Sequence, residues 1–211
     1  MPGADLQGAD LREAVLGRID LSEANLTGAR LGGADFGRAL LRKTDFSRAR
    51  LTGARLVSAR LEGAVFKEAV MDGARLERAV LKEAVLEQVD LSRANLYQAQ
   101  ADGASFNEAN LSQADLSQAQ MTQARLEKAN LTGVVLSRAV LENAVFKGAN
   151  LSNAQLDNAD LLGADFTNAD LSQADLHGAR IDEANFTGAR LDSAIWIDRR
   201  RCRPGSVGQC L

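Results

Sequence analysis

The chain has 211 residues, a formal net charge of −3 and a calculated pI near 5.3. Apolar residues make up 45% of it but aromatic residues only 4%, so small and aliphatic side chains must fill most of any core. A charge this mild does not indicate a nucleic-acid-binding protein.

No targeting or membrane-spanning segment is recognisable in the sequence. No apolar run approaches the roughly 18 residues that a transmembrane helix needs. Met1-Pro2-Gly3 leads directly into the pattern described below, without the apolar stretch of a signal peptide. We therefore expect a soluble, cytoplasmic protein with neither a membrane nor a nucleic acid as its direct partner.

A five-residue repeat runs through nearly the whole chain. Residues 4, 9, 14 and every fifth position to 194 form one column of 39 residues, of which 35 are alanine. Two residues further on, from 6 to 196, a core column holds 27 leucines and seven phenylalanines, with no charged or amide side chain. Both columns are therefore expected to be buried. The larger residues in the alanine column predict local strain; they are Ile19, Thr44, Val89 and Val134.

The period of five excludes an α-helix, in which apolar residues recur at about 3.6 positions. In an extended segment residues two apart point the same way, so alanine and the core residue face inward while the outward residue between them faces water. The next two positions are rich in Gly, Ser, Thr, Asn, Asp and Gln, as in Leu26-Thr27-Gly28. These residue types favour a tight corner after each short extended segment.

Ala-Asp-Leu-Ser-Gln at 114–118 and Ala-Asn-Leu-Thr-Gly at 24–28 resemble the A(D/N)Lxx motif of the pentapeptide-repeat family, and the resemblance covers about nine-tenths of the chain. It implies an all-β fold, a right-handed quadrilateral β-helix with four pentads in each of about ten coils. We expect this solenoid to span residues 1–197 and a short C-terminal capping tail to span residues 198–211.

The phenylalanines support four pentads per coil, because side chains on one face should then recur every 20 residues. Phe36 departs from this spacing, but the other six differ by multiples of 20. We therefore predict an aromatic stack inside one face, and Trp196 at the last core position. These structural core residues are Phe46, Phe66, Phe106, Phe146, Phe166, Phe186 and Trp196.

The two ends of the repeat differ. A solenoid exposes an unpaired strand edge at each end unless something covers it. After Trp196 the tail leaves the pattern, and we interpret it as a lid. Within it Cys202 and Cys210 bracket seven residues that include Pro204. A disulfide closing this loop is geometrically plausible, whereas a reducing cytoplasm favours two free thiols.

At the N-terminal end the pattern begins by Ala4, which leaves only three residues to act as a cap. Three interpretations remain open. Either the chain was cut from a longer protein, or the N-terminal edge docks onto a partner protein or a second copy, or the edge stays exposed in a monomer.

Charge is unevenly distributed along the repeat. Residues 150–195 hold eight acidic side chains against Arg180 and Arg190, whereas residues 41–61 hold six basic ones against Asp45. The basic six, called here the basic belt, are Arg42, Lys43, Arg48, Arg50, Arg55 and Arg60. The belt is either a solvated surface or a charge-guided docking surface.

Several outward positions carry an aliphatic residue where the family usually has Asp or Asn. Four of them crowd residues 65–85 and are called here the valine patch: Val65, Val70, Val80 and Val85. The preference of valine for strands explains them on a solvated wall. The alternative is a patch that binds a partner.

The sequence contains no recognisable catalytic arrangement. His177 is the only histidine and occupies a corner position, and the acidic residues at 160, 165, 170 and 175 belong to consecutive pentads that point to different faces. Two cysteines without a nearby histidine fall short of a zinc-binding set. We therefore expect no enzyme, and no catalytic residue, cofactor or metal.

The expected function is that of a rigid scaffold or protein-interaction module with an unidentified partner. The family resemblance implies two alternatives. Some pentapeptide-repeat proteins bind DNA gyrase as mimics of duplex DNA and protect it from quinolones or toxins, and similar repeats occur in larger bacterial, secretion-associated assemblies. A DNA mimic should present dense negative charge along the rod, whereas this chain has the basic belt and four arginines in its tail.

Overall fold

Parallel pairing at a constant offset of 20 residues organises the fold. The structure, a computed structural model, describes residues 1–211 and contains no helix and no continuous strand. Each pentad contributes one bridging residue at its outward position, and the parallel pairs run from Asp5 with Asn25 to Asp175 with Ile195. Four pentads therefore make one coil. No segment forms a helix that could cross a lipid bilayer.

The coil has four faces, named here by their outward residues. Face 1 carries residues 5, 25 and every twentieth position to 185. Face 2 likewise carries residues 10 to 190, face 3 residues 15 to 195 and face 4 residues 20 to 180. A two-residue corner follows each outward segment, so that residues 17 and 18 follow face 3 in the first coil. Every surface side chain can thus be assigned to a face or a corner from its number.

Each corner places its second residue in the left-handed region of backbone space. All 39 of these residues, from Gly3 to Ser193, have φ between 54° and 70°, the sign that the third residue of a type II turn requires. Only 13 of them are glycine. The other 26 hold a conformation that costs an L-residue about 1 kcal/mol, so the contacts between coils must offset this strain.

Hydrogen bonds between successive coils supply that stabilisation. The N–H of Leu6 donates to the carbonyl of Asn25 at 2.8 Å, and the N–H of Gly8 to that of Thr27 at 2.9 Å. In the other direction the N–H of Asn25 donates to the carbonyl of Ala4 at 2.9 Å. This pattern repeats from pentad to pentad, so each coil is bonded to the coil below it and the coil above it.

Alanine and leucine fill the interior, as the pattern predicts. From residue 21 to residue 176 every alanine-column and core-column side chain is at most 1% exposed. One of the larger residues disturbs its corner. The closing hydrogen bond of the turn is 2.9–3.3 Å long at the alanines, and it is 3.2 Å at Ile19, 3.3 Å at Thr44 and 3.1 Å at Val134, but 3.5 Å at Val89. The strain predicted from residue size is therefore visible at Val89 and not at the other three.

The phenylalanines form two stacks instead of one continuous stack. Phe46 and Phe66 stack with ring centroids 4.8 Å apart. A second stack joins Phe146 to Phe166 at 4.8 Å and Phe166 to Phe186 at 5.0 Å. Between the stacks, residue 106 is a phenylalanine in register with Leu86 and Leu126, so its ring has no aromatic neighbour. Trp196 meets Phe186 edge-on at 5.3 Å.

The tail crosses the C-terminal end of the coil. It pairs in antiparallel fashion with faces 2 and 3, through Arg190 with Val207 and Ile195 with Arg201. A disulfide joins the buried Cys202 to Cys210. On faces 1 and 4 the backbone N–H groups of Phe186 and Ile181 have no acceptor. The tail therefore covers two of the four faces at this end.

Candidate functional site

The basic belt encircles the coil and does not form a single patch. Because it spans about one coil of 20 residues, its members lie on all four faces or their corners. Four of the six pair with a nearby carboxylate: Arg42 with Glu62 at 3.4 Å, Arg48 with Glu68 at 3.1 Å, Arg55 with Asp35 at 3.0 Å and Arg60 with Glu62 at 2.7 Å. Lys43 and Arg50 form no ion pair. These two are the belt residues most available to an acidic partner.

Glu62 is the main counter-charge within the belt. Its Oε1 accepts hydrogen bonds from Arg60 at 2.7 Å and Arg42 at 3.4 Å. Burial raises the pKa of this carboxyl, but its own backbone N–H and the two guanidinium groups more than offset that effect, so the pKa lies below its ordinary value. Glu62 is therefore ionised at neutral pH and holds two of the six belt cations.

The valine patch is a band that turns two corners. Val65 and Val85 pair directly on face 1, whereas Val70 lies on face 2 and Val80 on face 4. Val70 is 38% exposed and the other three are half-buried. The structure brings Val65, Val70 and Val85 onto two adjoining faces but turns Val80 onto a third.

The recesses in the surface are open and polar. The largest is a groove of about 720 Å³ that has no apolar side chain in its wall; it is lined by Lys82, Gln98, Gln100, Asp102, Gln118, Gln120 and Arg138. The imidazole Nδ1 of His177 lies 3.7 Å from the Asp175 carboxylate at a corner. No group of three or more His, Cys, Asp or Glu side chains is placed to hold a metal ion. Enclosed, mostly apolar cavities that typically hold small ligands are not among these recesses.

One corner of the coil carries a column of arginines without ion pairs, which was not predicted from the sequence. Arg18, Arg38, Arg78 and Arg138 occupy the second corner position after face 3, and none of them forms an ion pair. Arg78 donates to the Gln98 side chain at 3.1 Å. The spacing of their numbers by multiples of 20 was the signal that would have revealed this column.

The N-terminal edge presents unpaired backbone. The first three core leucines are only partly buried, in contrast to the fully buried residues from Leu21 onward. The backbone N–H groups of Asp5, Asp10 and Val15 have no acceptor. Such an edge offers the groups that pair with another extended segment.

Comparison with known proteins identifies the repeat. The family model for pentapeptide repeats matches overlapping segments that together run from residue 4 to residue 195. A search of curated proteins found no significant match.

Three solved structures illustrate the similarity. HetL, a pentapeptide repeat protein involved in heterocyst differentiation regulation from the cyanobacterium Nostoc sp. strain PCC 7120, is 34% identical with a TM-score of 0.72, over 95% of this chain and 92% of HetL. QnrB1, a plasmid-mediated fluoroquinolone resistance protein, is 23% identical with a TM-score of 0.44, over 81% of this chain and 85% of QnrB1. A thylakoid lumen pentapeptide repeat protein from Arabidopsis thaliana is 26% identical with a TM-score of 0.34, over 47% of this chain and 79% of that one.

The family match and the fold agree. Proteins of this family are right-handed quadrilateral β-helices, and this chain has the same four-pentad coil. The fold predicted from the A(D/N)Lxx motif is thus confirmed. The chain belongs to the pentapeptide-repeat family.

Proposed function

We propose that this protein is a non-enzymatic rigid scaffold, a protein-interaction module that binds a partner protein through the side of its coil. The observation that carries the proposal is a backbone bonded coil to coil, whose outward side chains stand at fixed positions and differ from face to face. Such a surface is ordered before binding, so little conformational entropy is lost when a partner docks. HetL, whose role lies in regulation, supports a binding function of this kind.

The valine patch and the basic belt adjoin, and together they define the partner's chemistry. On face 2 Arg50 pairs in register with Val70, and on face 1 Asp45 pairs with Val65. An exposed aliphatic side chain beside an unpaired guanidinium fits a partner segment that alternates apolar and acidic residues. Val70 and Arg50 are therefore the proposed centre of the docking surface.

Site-specific photo-crosslinking tests this surface in cells. A photoreactive residue at position 70 should capture a partner, and Arg50→Glu should reduce the yield severalfold because it reverses the adjacent charge. Position 145 is the matched control, since Val145 is also an outward valine but lies on face 1 several coils away. Equal crosslinking at positions 70 and 145, or no effect of Arg50→Glu, would exclude the docking surface.

Mimicry of DNA at gyrase is the alternative function, and the charge pattern gives it less support. A mimic needs a continuous acidic face, whereas the first five outward residues of face 2 are Asp10, Arg30, Arg50, Val70 and Asp90. A supercoiling assay with gyrase and a quinolone decides between the functions. We expect neither inhibition of supercoiling nor protection of gyrase from the quinolone.

The proposal also includes the N-terminal edge and the location of the protein in the cell. The N-terminal edge, through Asp5, Asp10 and Val15, is a second candidate for docking a partner or a second copy. We also propose a cytoplasmic location, where reducing conditions act against the Cys202–Cys210 disulfide. Membership of a larger bacterial, secretion-associated assembly is compatible with both.

A further inference from the structure

Faces 3 and 4 carry opposite net charges toward their two ends. Over residues 35–83, the outward and corner positions of these faces hold eight basic and four acidic side chains, a net charge of +4. Over residues 135–183 the equivalent positions hold two basic and six acidic side chains, a net charge of −4. On faces 1 and 2 the same two ranges carry net charges of 0 and −1. Opposite net charges are therefore confined to two adjoining faces. On faces 3 and 4, the surface of residues 35–83 is called here the basic zone and that of residues 135–183 the acidic zone.

The surface between the two zones is dominated by amides. On faces 3 and 4, residues 95–123 include Asn95, Gln98, Gln100, Gln118, Gln120 and Gln123. Two carboxylates also lie there, of which Asp102 pairs with Lys82 at 3.3 Å. Several of these amides line the large polar groove. The midpoint of this amide zone, residue 109, is also the midpoint between the basic and acidic zones.

Aliphatic side chains lie among the charges of both zones. Each zone has three, all half-buried: Leu40, Val57 and Val80 in the basic zone, and Val135, Val140 and Leu162 in the acidic zone. Each zone therefore combines apolar area with charge of one sign, as the core and rim of a protein interface do.

We propose that two copies of this chain associate side by side and antiparallel, through faces 3 and 4, around a two-fold axis that passes through the amide zone. A two-fold axis makes each surface contact its own copy. In the antiparallel arrangement the basic zone of each copy then faces the acidic zone of the other, on both sides of the axis. In a parallel arrangement like charges would face each other, which is unfavourable.

The amide zone suits the position of the axis. A residue close to a two-fold axis meets its own counterpart, so a charged side chain there would repel itself. A glutamine amide both donates and accepts hydrogen bonds and is therefore complementary to itself. The side chains of Gln98 and Gln118 already pair within one copy, with Nε2 and Oε1 2.9 Å apart.

This association goes beyond the proposed binding of a partner. It uses faces 3 and 4 and leaves Val65, Val70 and Val85 on faces 1 and 2 free. It also differs from docking at the N-terminal edge, because a side-by-side pair keeps the length of one rod, roughly 45 Å for about ten coils. An end-to-end pair would roughly double that length.

Charge reversal in one zone at a time tests the proposal. The basic-zone variant is Arg38→Glu with Arg78→Glu, and the acidic-zone variant is Asp157→Lys with Glu183→Lys. The repeat tolerates these residue types at these corner positions. Glu68 and Lys128 stand at second-corner positions, like residues 38, 78 and 183, with φ of 58° and 56°, and Lys82 stands at a first-corner position, like residue 157. The control, Lys67→Glu with Lys128→Glu, makes the same change in net charge as the basic-zone variant, but at the corners of face 1. Circular dichroism and thermal unfolding verify that each variant is folded.

Light scattering and small-angle X-ray scattering measure the outcome. We expect a wild-type dimer of single-rod length at about 50 mM salt, weakened at about 500 mM salt because screening shortens the range of the charges. Each zone variant alone should dimerise at least roughly tenfold more weakly. An equimolar mixture of the two zone variants should form a heterodimer, visible by native mass spectrometry. The control variant should dimerise like the wild type.

Three results would overturn the proposal. The first is a wild-type monomer at low salt and at concentrations of about 100 μM, where complementary surfaces of this kind should associate. The second is a dimer of doubled length, which would indicate end-to-end docking. The third is a dimer that either zone variant leaves intact. All three leave the crosslinking test at position 70 unaffected, so failure here is distinguishable from failure of the proposed function.

Discussion

At the scale of single residues, backbone strain is concentrated at the corners of the coil. Two-thirds of the second-corner positions hold a residue other than glycine in the left-handed region, among them Glu, Arg, Lys and Gln. These long side chains project from the corner into solvent. The strained corner positions therefore place charged and amide groups along the edges of the coil. The arginine column at 18, 38, 78 and 138 exists only because of this arrangement.

Replacing one such residue by glycine tests the strain. Gln173 has a φ of 61°, is exposed and makes no side-chain hydrogen bond. Gln173→Gly removes a cost of about 1 kcal/mol but adds a similar freedom to the unfolded chain. We expect the free energy of unfolding to stay the same or rise by up to about 1 kcal/mol, measured by denaturant titration.

Gln155→Gly is the matched control, because Gln155 is also an exposed glutamine but bridges two coils at an outward position. There glycine should lower the free energy of unfolding by about 1 kcal/mol, since it adds freedom without relieving strain. Equal losses from both substitutions would show that the corners are not strained.

At the scale of elements, the internal stacks distinguish face 1 from the other faces. Leucine fills most core positions, but face 1 alone carries phenylalanines one coil apart, so that their rings stack at about the spacing between neighbouring strands. Stacking adds stabilisation beyond the area buried. The interruption at Leu86, Phe106 and Leu126 leaves one phenylalanine without that contribution.

The interruption provides an internal comparison. Phe166→Leu removes stacking contacts with Phe146 and Phe186 at 4.8 Å and 5.0 Å, whereas Phe106→Leu makes the same volume change with no stack to lose. Phe166→Leu should therefore lower the free energy of unfolding by about 1–2 kcal/mol more than Phe106→Leu does. Thermal and denaturant unfolding of the two variants measure the difference. Equal losses would mean that burial alone accounts for the stabilisation.

At the scale of the whole molecule, the protein is a one-dimensional stack in which each coil contacts only its neighbours. The two ends are unequal. The first coil has one neighbour and partly exposed leucines, whereas the last coil is covered on faces 2 and 3 by a tail that the disulfide closes.

Amide hydrogen exchange should reveal this inequality. We expect residues 4–20 to exchange fastest, the central coils slowest, and residues 186–196 at an intermediate rate, because local opening starts where coil contacts are fewest. Reduction of the disulfide should accelerate exchange at Leu191 and Ala194 and their neighbours while leaving the first coil unchanged. Uniform exchange along the chain would instead indicate that all coils open together.

The sequence by itself determined the period, the buried columns and the face of every side chain, because a five-residue repeat and a 20-residue register act through local geometry and sterics. The fold class followed from the A(D/N)Lxx motif and was confirmed. The opposite net charges on faces 3 and 4 also follow from the sequence, because the 20-residue register assigns each charged residue to a face. They are recognised only when the net charges of the faces are compared.

The tertiary structure alone decided which side chains meet. It shows that Glu62 holds Arg42 and Arg60 and that the tail covers two faces of four. The sequence also left the pairing of Cys202 and Cys210 open. These contacts depend on side-chain conformation and on the path of a tail outside the repeat, and the five-residue period constrains neither.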